Sequence, residues 1–359
     1  MSHIKTAGGH SATTTSINTN AFVSKFTSWA RAHSACSPAS LRRFPQTLRR
    51  AIEVELPKRD KFVEVVAREL SPRPPTLAIE LESAWLAEGR GKSWAVAVIP
   101  DWTSGWRELS RDADANDLVS TFFHFASQYV FRSRAADMLG AIALMYRQPI
   151  EARFGDMSLI RTTKEDARTE DAARLKLALQ KSTARSRSTR ARSAHSLATT
   201  LNCLHPATHR IVFTYIRSLN LLNDGYAEEF VTALDGIVSV AMQMVCATTG
   251  AARIDRKELA DRYLRPDEHF ELVLLNQMRS SFGAHPSVGK WADFGEIFED
   301  DIEHVHNVVV RLICALARDP HLQHVERSPK SWSSWFGENC LHLWNSVWFE
   351  NVPPTRIRH

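Results

Sequence analysis

Paired cysteines are missing from this sequence. The five that occur, Cys36, Cys203, Cys246, Cys314 and Cys340, are odd in number, widely spaced and form no CxxC. Such a set supports neither a disulfide framework nor a cysteine-based zinc site, and it suits a reducing, cytoplasmic setting. Missing too are a Gly-rich phosphate loop, the strained turn that presents a nucleophilic serine, and a paired-carboxylate motif, so no cofactor is expected. The most apolar window, Gly236 to Cys246, holds Ser239 and Gln243. It falls short of the roughly 20 apolar residues that cross a bilayer, and no membrane span is expected. Met1 to Asn20 is rich in Ser, Thr, Gly and Asn and lacks the apolar stretch of a secretory signal; residues 1–20 are expected to be a disordered leader. No repeat of solenoid type is present.

What is present is an ordinary globular composition, 44% hydrophobic and 24% charged over 359 residues. That length suggests two domains. The net charge of +5 is unevenly spread, because Thr200 to Pro320 holds 11 Lys and Arg against 17 Asp and Glu, a balance of −6. Everything else must therefore carry +11. Composition divides the chain into a mostly helical N-terminal region at 21–160, a basic Ser/Arg-rich connector at 161–200, a helical domain at 201–320 and a Trp-rich tail at 321–359. From Arg174 to His195 the connector has seven basic residues and no acidic one. Arg185, Arg187, Arg190 and Arg192 either contact RNA phosphates or keep a linker solvated, and no aromatic residue is interleaved there for base stacking.

In the N-terminal region Asn20 is placed to cap a helix through Trp29. Ser37-Pro38 has the order that starts another, with a break at Pro45 and an end near Leu56. A third helix is expected over 60–70, before Ser71-Pro72-Arg73-Pro74-Pro75 punctuates the chain. Trp94, Val96 and Val98 alternate as in a strand, and 117–146 reads as one or two core helices. Trp85, Trp94, Trp102 and Trp106 are read as core rather than as a stacking platform. Trp332 and Trp335, like Trp344 and Trp348, are spaced for helical packing contacts or for a partner surface.

The region 201–320 shows one long helix after another. Ile211, Tyr215, Ile216, Leu219 and Leu222 form one apolar face, and Phe230, Leu234, Ile237, Val238, Ala241, Met244 and Val245 form the next. Asp255 with Glu258 has capping-box spacing. A helix from Pro266 to Phe282 is expected to bury Phe270, Val273, Leu274 and Met278 and to stop at Gly283. The last helix, 293–318, turns Ile297, Ile302, Val305, Val309, Leu312, Ile313 and Leu316 inward. Short links between such helices favour an antiparallel bundle.

The helix before the last ends Arg279-Ser280-Ser281-Phe282-Gly283-Ala284-His285-Pro286. In this setting the motif resembles that of the HEPN superfamily, an Arg, a polar neighbour and a His near the end of the penultimate helix. Ser280 stands where the family often has Asn. Three other Arg and His pairs have comparable spacing: Arg190 with His195, Arg262 with His269, and Arg318 with His324. Only Arg279 sits between long apolar helices. The resemblance implies a metal-independent endoribonuclease of the kind used in defence or as a toxin, working as a homodimer. His285 would be its general acid/base, Arg279 the phosphate stabiliser and Ser280 a phosphate orienter. The chemistry is coherent, since histidine titrates near neutrality and arginine offers a permanently charged fork to phosphate oxygens. The alternative is a non-catalytic RNA- or protein-binding dimerisation module. A protein partner would then dock on the N-terminal region or the Trp-rich tail. His304 and His306 point to different faces, and His205 with His209 lacks a nearby Glu, so no metal site is expected.

Overall fold

The computed structural model describes residues 19–33, 36–89, 91–102, 106, 109–152, 158–163, 189–202, 206–282, 299–322 and 331–343. Two helices open the fold, α1 (Thr19–His33) and α2 (Pro38–Arg50). The Ser37 hydroxyl accepts from the Ser40 amide at 3.1 Å, as its cap position anticipates. Asn20 does not act as the cap of α1, since its side-chain oxygen accepts from Arg49 at 2.7 Å. Pro45 lies inside α2 without breaking it. The irregularity comes later, as a single wide turn over Ala51–Glu55 that leads into the short α3 (Leu56–Lys58).

The expected helix over 60–70 is instead the strand β1 (Phe62–Ser71). Its sequence fits both periods: Val63, Val66 and Leu70 are spaced as on a helix, Val63, Val65 and Ala67 as on a strand. Pairing decides between them. β1 is flanked by β4 (Lys92–Pro100) on one side, and by β5 (Glu151–Ala152) and β6 (Ser158–Thr163) on the other. With β2 (Glu80–Leu81) and β3 (Ala84–Gly89) these strands make a six-stranded antiparallel sheet, of which the sequence had shown only the stretch around Trp94. β6 also takes the first residues assigned to the connector into the sheet.

One face of the sheet packs on α4 (Ala113–Tyr146), a single helix of 34 residues. Asp112 caps its start, accepting from the Ala115 amide at 3.2 Å. At its end Arg147 has a positive φ of 54°. Successive residues of β3 serve opposite faces: Ala84 and Leu86 join the α4 side, while Trp85 and Ala87 join a smaller cluster with Val65, Ala67 and Val96.

The connector's end is helical: α5 (Thr189–Leu201) packs on α4. Then follow α6 (Pro206–Asn223), α7 (Ala227–Thr249), α8 (Arg256–Tyr263), a short 3-10 turn (Pro266–Glu268), α9 (His269–Phe282) and α10 (Glu299–Arg318). The Asp255 and Glu258 capping box is present, with bonds of 2.8 and 2.9 Å. The chain is thus mostly helical, with a small antiparallel sheet.

Apart from that smaller cluster, most buried apolar side chains from Phe22 to Phe336 belong to one contiguous cluster. α4 is its spine, shared by the sheet and the helices that follow. Where α4 meets α6 the seam is partly polar. His209 accepts or donates through Nδ1 to the Ser133 hydroxyl at 3.1 Å and through Nε2 to Asp137 at 2.8 Å. Arg134, also buried, donates to Asn202 at 2.6 Å. The final helix, α11 (Trp332–Leu343), docks on the N-terminal part of the fold. Trp332, Trp335 and Phe336 pack on Trp102, and Phe336 also touches Phe22, Phe122 and Phe123. Trp102 and Trp106 are fully buried, in keeping with the core reading; Trp344 and Trp348 lie outside the described residues.

Candidate functional site at the end of α9

α9 is held between α7 and α10 by Leu272, Leu275 and Met278, all buried. Phe270 and Val273, expected inside, are instead 66% and 40% exposed. The reason is in the sequence: α9 is apolar at 270, 272, 273, 274, 275 and 278. Two stripes of helical spacing therefore compete, and packing selects the one through Leu272. The turn before α9 is pinned by Glu268, buried, which accepts from the Arg265 amide at 3.0 Å and pairs with Arg311 of α10 at 2.6 Å. Tyr263 likewise donates to Asp319, beyond the end of α10, at 2.6 Å.

Arg279 lies in the last turn of α9. Its side chain is 44% exposed, and its Nε stands 3.9 Å from Asp235 of α7. Asp235 is buried and is held more tightly by Arg256, at 2.5 Å. Arg256 in turn donates to the Leu272 carbonyl at 3.2 Å and to Asn276 at 3.2 Å. A buried carboxylate thus sits between a structural guanidinium and a half-exposed one. Because Asp235 meets Arg279 at Nε, the two terminal nitrogens, the fork that suits a phosphate, have no partner among the described residues. Ser280 is exposed on the following position. His285, the third member of the motif, lies outside the described residues, as does Glu296, an acid at the start of the expected last helix.

Arg185 and Arg187 are outside the described residues as well. Arg190 and Arg192 are exposed on α5. Arg190 is engaged: its Nε and a terminal nitrogen donate to the Met145 carbonyl at 3.1 and 2.7 Å, and its guanidinium lies over the Tyr146 ring at 4.7 Å. A cation at the last carbonyls of α4 is well placed electrostatically, so Arg190 closes that helix whatever else it binds. His195, its partner in the motif-like spacing, accepts from the Glu80 amide at 3.4 Å.

His306 of α10 is buried against Tyr215 of α6, with Nε2 and the hydroxyl 2.8 Å apart. Burial, helped by the charge of Arg147, pushes its pKa down to about 4, so it is a neutral core histidine. No group of three or more His, Cys, Asp or Glu placed to hold a metal occurs among the described residues. Among the described residues one helix, α7, is long and apolar enough to cross a membrane by length and composition. Half of its most apolar stretch is buried, and the helix contains the ion-paired Asp235, which is how a core helix behaves. Asp235 is also the site residue that the sequence reading passed over, although a lone acid inside the stripe from Phe230 to Val245 is a visible signal for a buried partner.

Comparison of the chain with protein families, with curated proteins and with solved structures finds no match. The fold and site therefore define a class only: a mostly helical protein with a small antiparallel sheet and a half-exposed arginine held at the end of a packed helix.

Proposed function

We propose that the chain is a metal-independent endoribonuclease of HEPN type, acting in the cytoplasm as a defence or toxin effector. The observation that carries this reading is Arg279. It stands on the last turn of the helix before α10, half-exposed, with its Nε 3.9 Å from a buried acid. Such a guanidinium is suited to bind the scissile phosphate and to stabilise the charge that grows on it. His285, six positions further along the sequence, supplies the proton transfer, taking the 2′-hydroxyl proton or returning one to the leaving oxygen. Ser280 orients the phosphate. The basic residues of the connector, Arg185, Arg187 and Arg192 with the outer face of Arg190, draw RNA to a domain that is itself acidic. A homodimer would bring two such arginines to one strand.

The experiment is incubation of the purified protein with RNA in EDTA. Cleavage that persists under chelation and disappears in both Arg279→Ala and His285→Ala supports the nuclease. RNA that stays intact, bound with equal affinity by wild type and both variants, overturns it and favours a binding or dimerisation module.

A further inference from the structure

No Asp or Glu occurs in the first 50 residues, while Lys5, Lys25, Arg31, Arg42, Arg43, Arg49 and Arg50 all do; the first acid is Glu53. That stretch holds +7 in a chain whose net charge is +5. The structure gathers most of this charge on one element. α1 and α2 form an antiparallel hairpin, tied at its open end by the bond from Arg49 to Asn20. Its apolar side chains, Phe22, Phe26, Phe44 and Leu48, turn into the core, so the outer side is left to the basic ones. On α2 Arg42, Arg43, Arg49 and Arg50 are all exposed, and Arg42 and Arg49 are seven positions apart, about 10 Å along the axis. Lys25 and Arg31 are exposed on α1.

The neighbouring acids are few. Asp112 pairs with Arg43 at 3.5 Å, Asp114 accepts from Ser40 at 3.2 Å, and Glu53 lies 4.0 Å from Arg49. Arg50 is aimed by a bond to the Leu109 carbonyl at 2.9 Å. Lys25, Arg31 and Arg42 have no side-chain partner among the described residues. Six exposed cations on one hairpin, against three nearby acids, suit a polyanion, and the composition of the exposed side says which kind. A helix that lies on a membrane presents Trp, Phe or Leu to the lipid. No large apolar side chain of α1 or α2 is among the exposed ones.

We propose that the outer face of the α1–α2 hairpin is a docking surface for the phosphodiester backbone of RNA, separate from the connector. This rests on the reading of the chain as an RNA-acting protein. It supplies attraction that the acidic region around Arg279 lacks, without reading bases, because the exposed face has cations and no stacking platform.

The test uses the full chain with His285→Ala, which keeps RNA intact, and measures binding of a labelled single-stranded RNA over a series of KCl concentrations. Adding Lys25→Gln, Arg31→Gln and Arg42→Gln should make the plot of log K against log salt shallower by about 2, since each lost contact to a single strand removes about 0.7. Among the described residues these three side chains have no hydrogen-bond or ion-pair partner, and the charge-preserving set Lys25→Arg, Arg31→Lys and Arg42→Lys should keep the parent slope. An unchanged slope in the Gln variant overturns the proposal. So does loss of binding to phosphatidylserine vesicles with RNA binding unaltered, which assigns the face to a membrane. If wild type binds RNA but never cleaves it, the nuclease reading fails while a shallower slope still supports this surface.

Discussion

Arg279 meets the buried Asp235 through Nε at 3.9 Å, the looser of two ion pairs on that carboxylate. The tighter one, to Arg256 at 2.5 Å, belongs to a side chain only 17% exposed. The two arginines therefore differ in what they hold.

Arg256→Ala should cost about 3 kcal/mol of stability, because it strands a buried carboxylate and two further acceptors. Arg279→Ala should cost less than about 1 kcal/mol, since a half-exposed pair at that distance contributes little. Urea unfolding of the two variants checks the difference. Equal losses would mean that Arg279 serves the fold, and the nuclease reading would lose its main support.

His306 makes stability depend on pH. Its folded pKa, about 4, lies below the ordinary 6.5, so the neutral form is favoured in the native state. This contribution is fully present above pH 6.5 and is lost as pH falls toward 4, by roughly 3 kcal/mol at about 1.4 kcal/mol per pH unit. Denaturant titrations across that window should show the loss, and His306→Gln should flatten it.

Gly140 and Gly236 should respond in opposite ways to alanine. A Cβ on Gly140 of α4 would collide with Cγ1 of Val212 on α6, whereas one on Gly236 of α7 meets nothing within 4 Å. Gly140→Ala should destabilise by about 1–3 kcal/mol through overpacking, against its helix-propensity gain. Gly236→Ala should stabilise by up to about 1 kcal/mol. Thermal unfolding of the pair gives both signs.

The last helix should prove structural. Phe336 is 1% exposed, and Asp60 accepts from both the amide and the hydroxyl of Ser333 at 2.6 Å, fixing the start of α11. Phe336→Ala should cost about 3–5 kcal/mol, and deletion of 331–359 should lower the melting temperature by uncovering Trp102 and Phe123. A deletion that removes partner binding at unchanged melting temperature would instead make the tail an interaction scaffold.

The amino-acid sequence by itself determined the helices from 206 to 282 and from 299 to 318, because their apolar residues recur every three or four positions and their caps and glycines mark the ends. It also determined where Arg279 falls, on the last turn of α9. Tertiary structure decided whatever had two local solutions. Residues 62–70 satisfy both periods, and only pairing with β4 and β6 makes them a strand. α9 carries two apolar stripes, and only its neighbours put Leu272 inside and Phe270 in solvent. The C-terminal tryptophans could close over any apolar surface, and complementarity with the aromatic cluster around Trp102 places them on the N-terminal part. The acid that orients Arg279 comes from a helix more than 40 positions earlier, and no local pattern links two residues brought together only by packing.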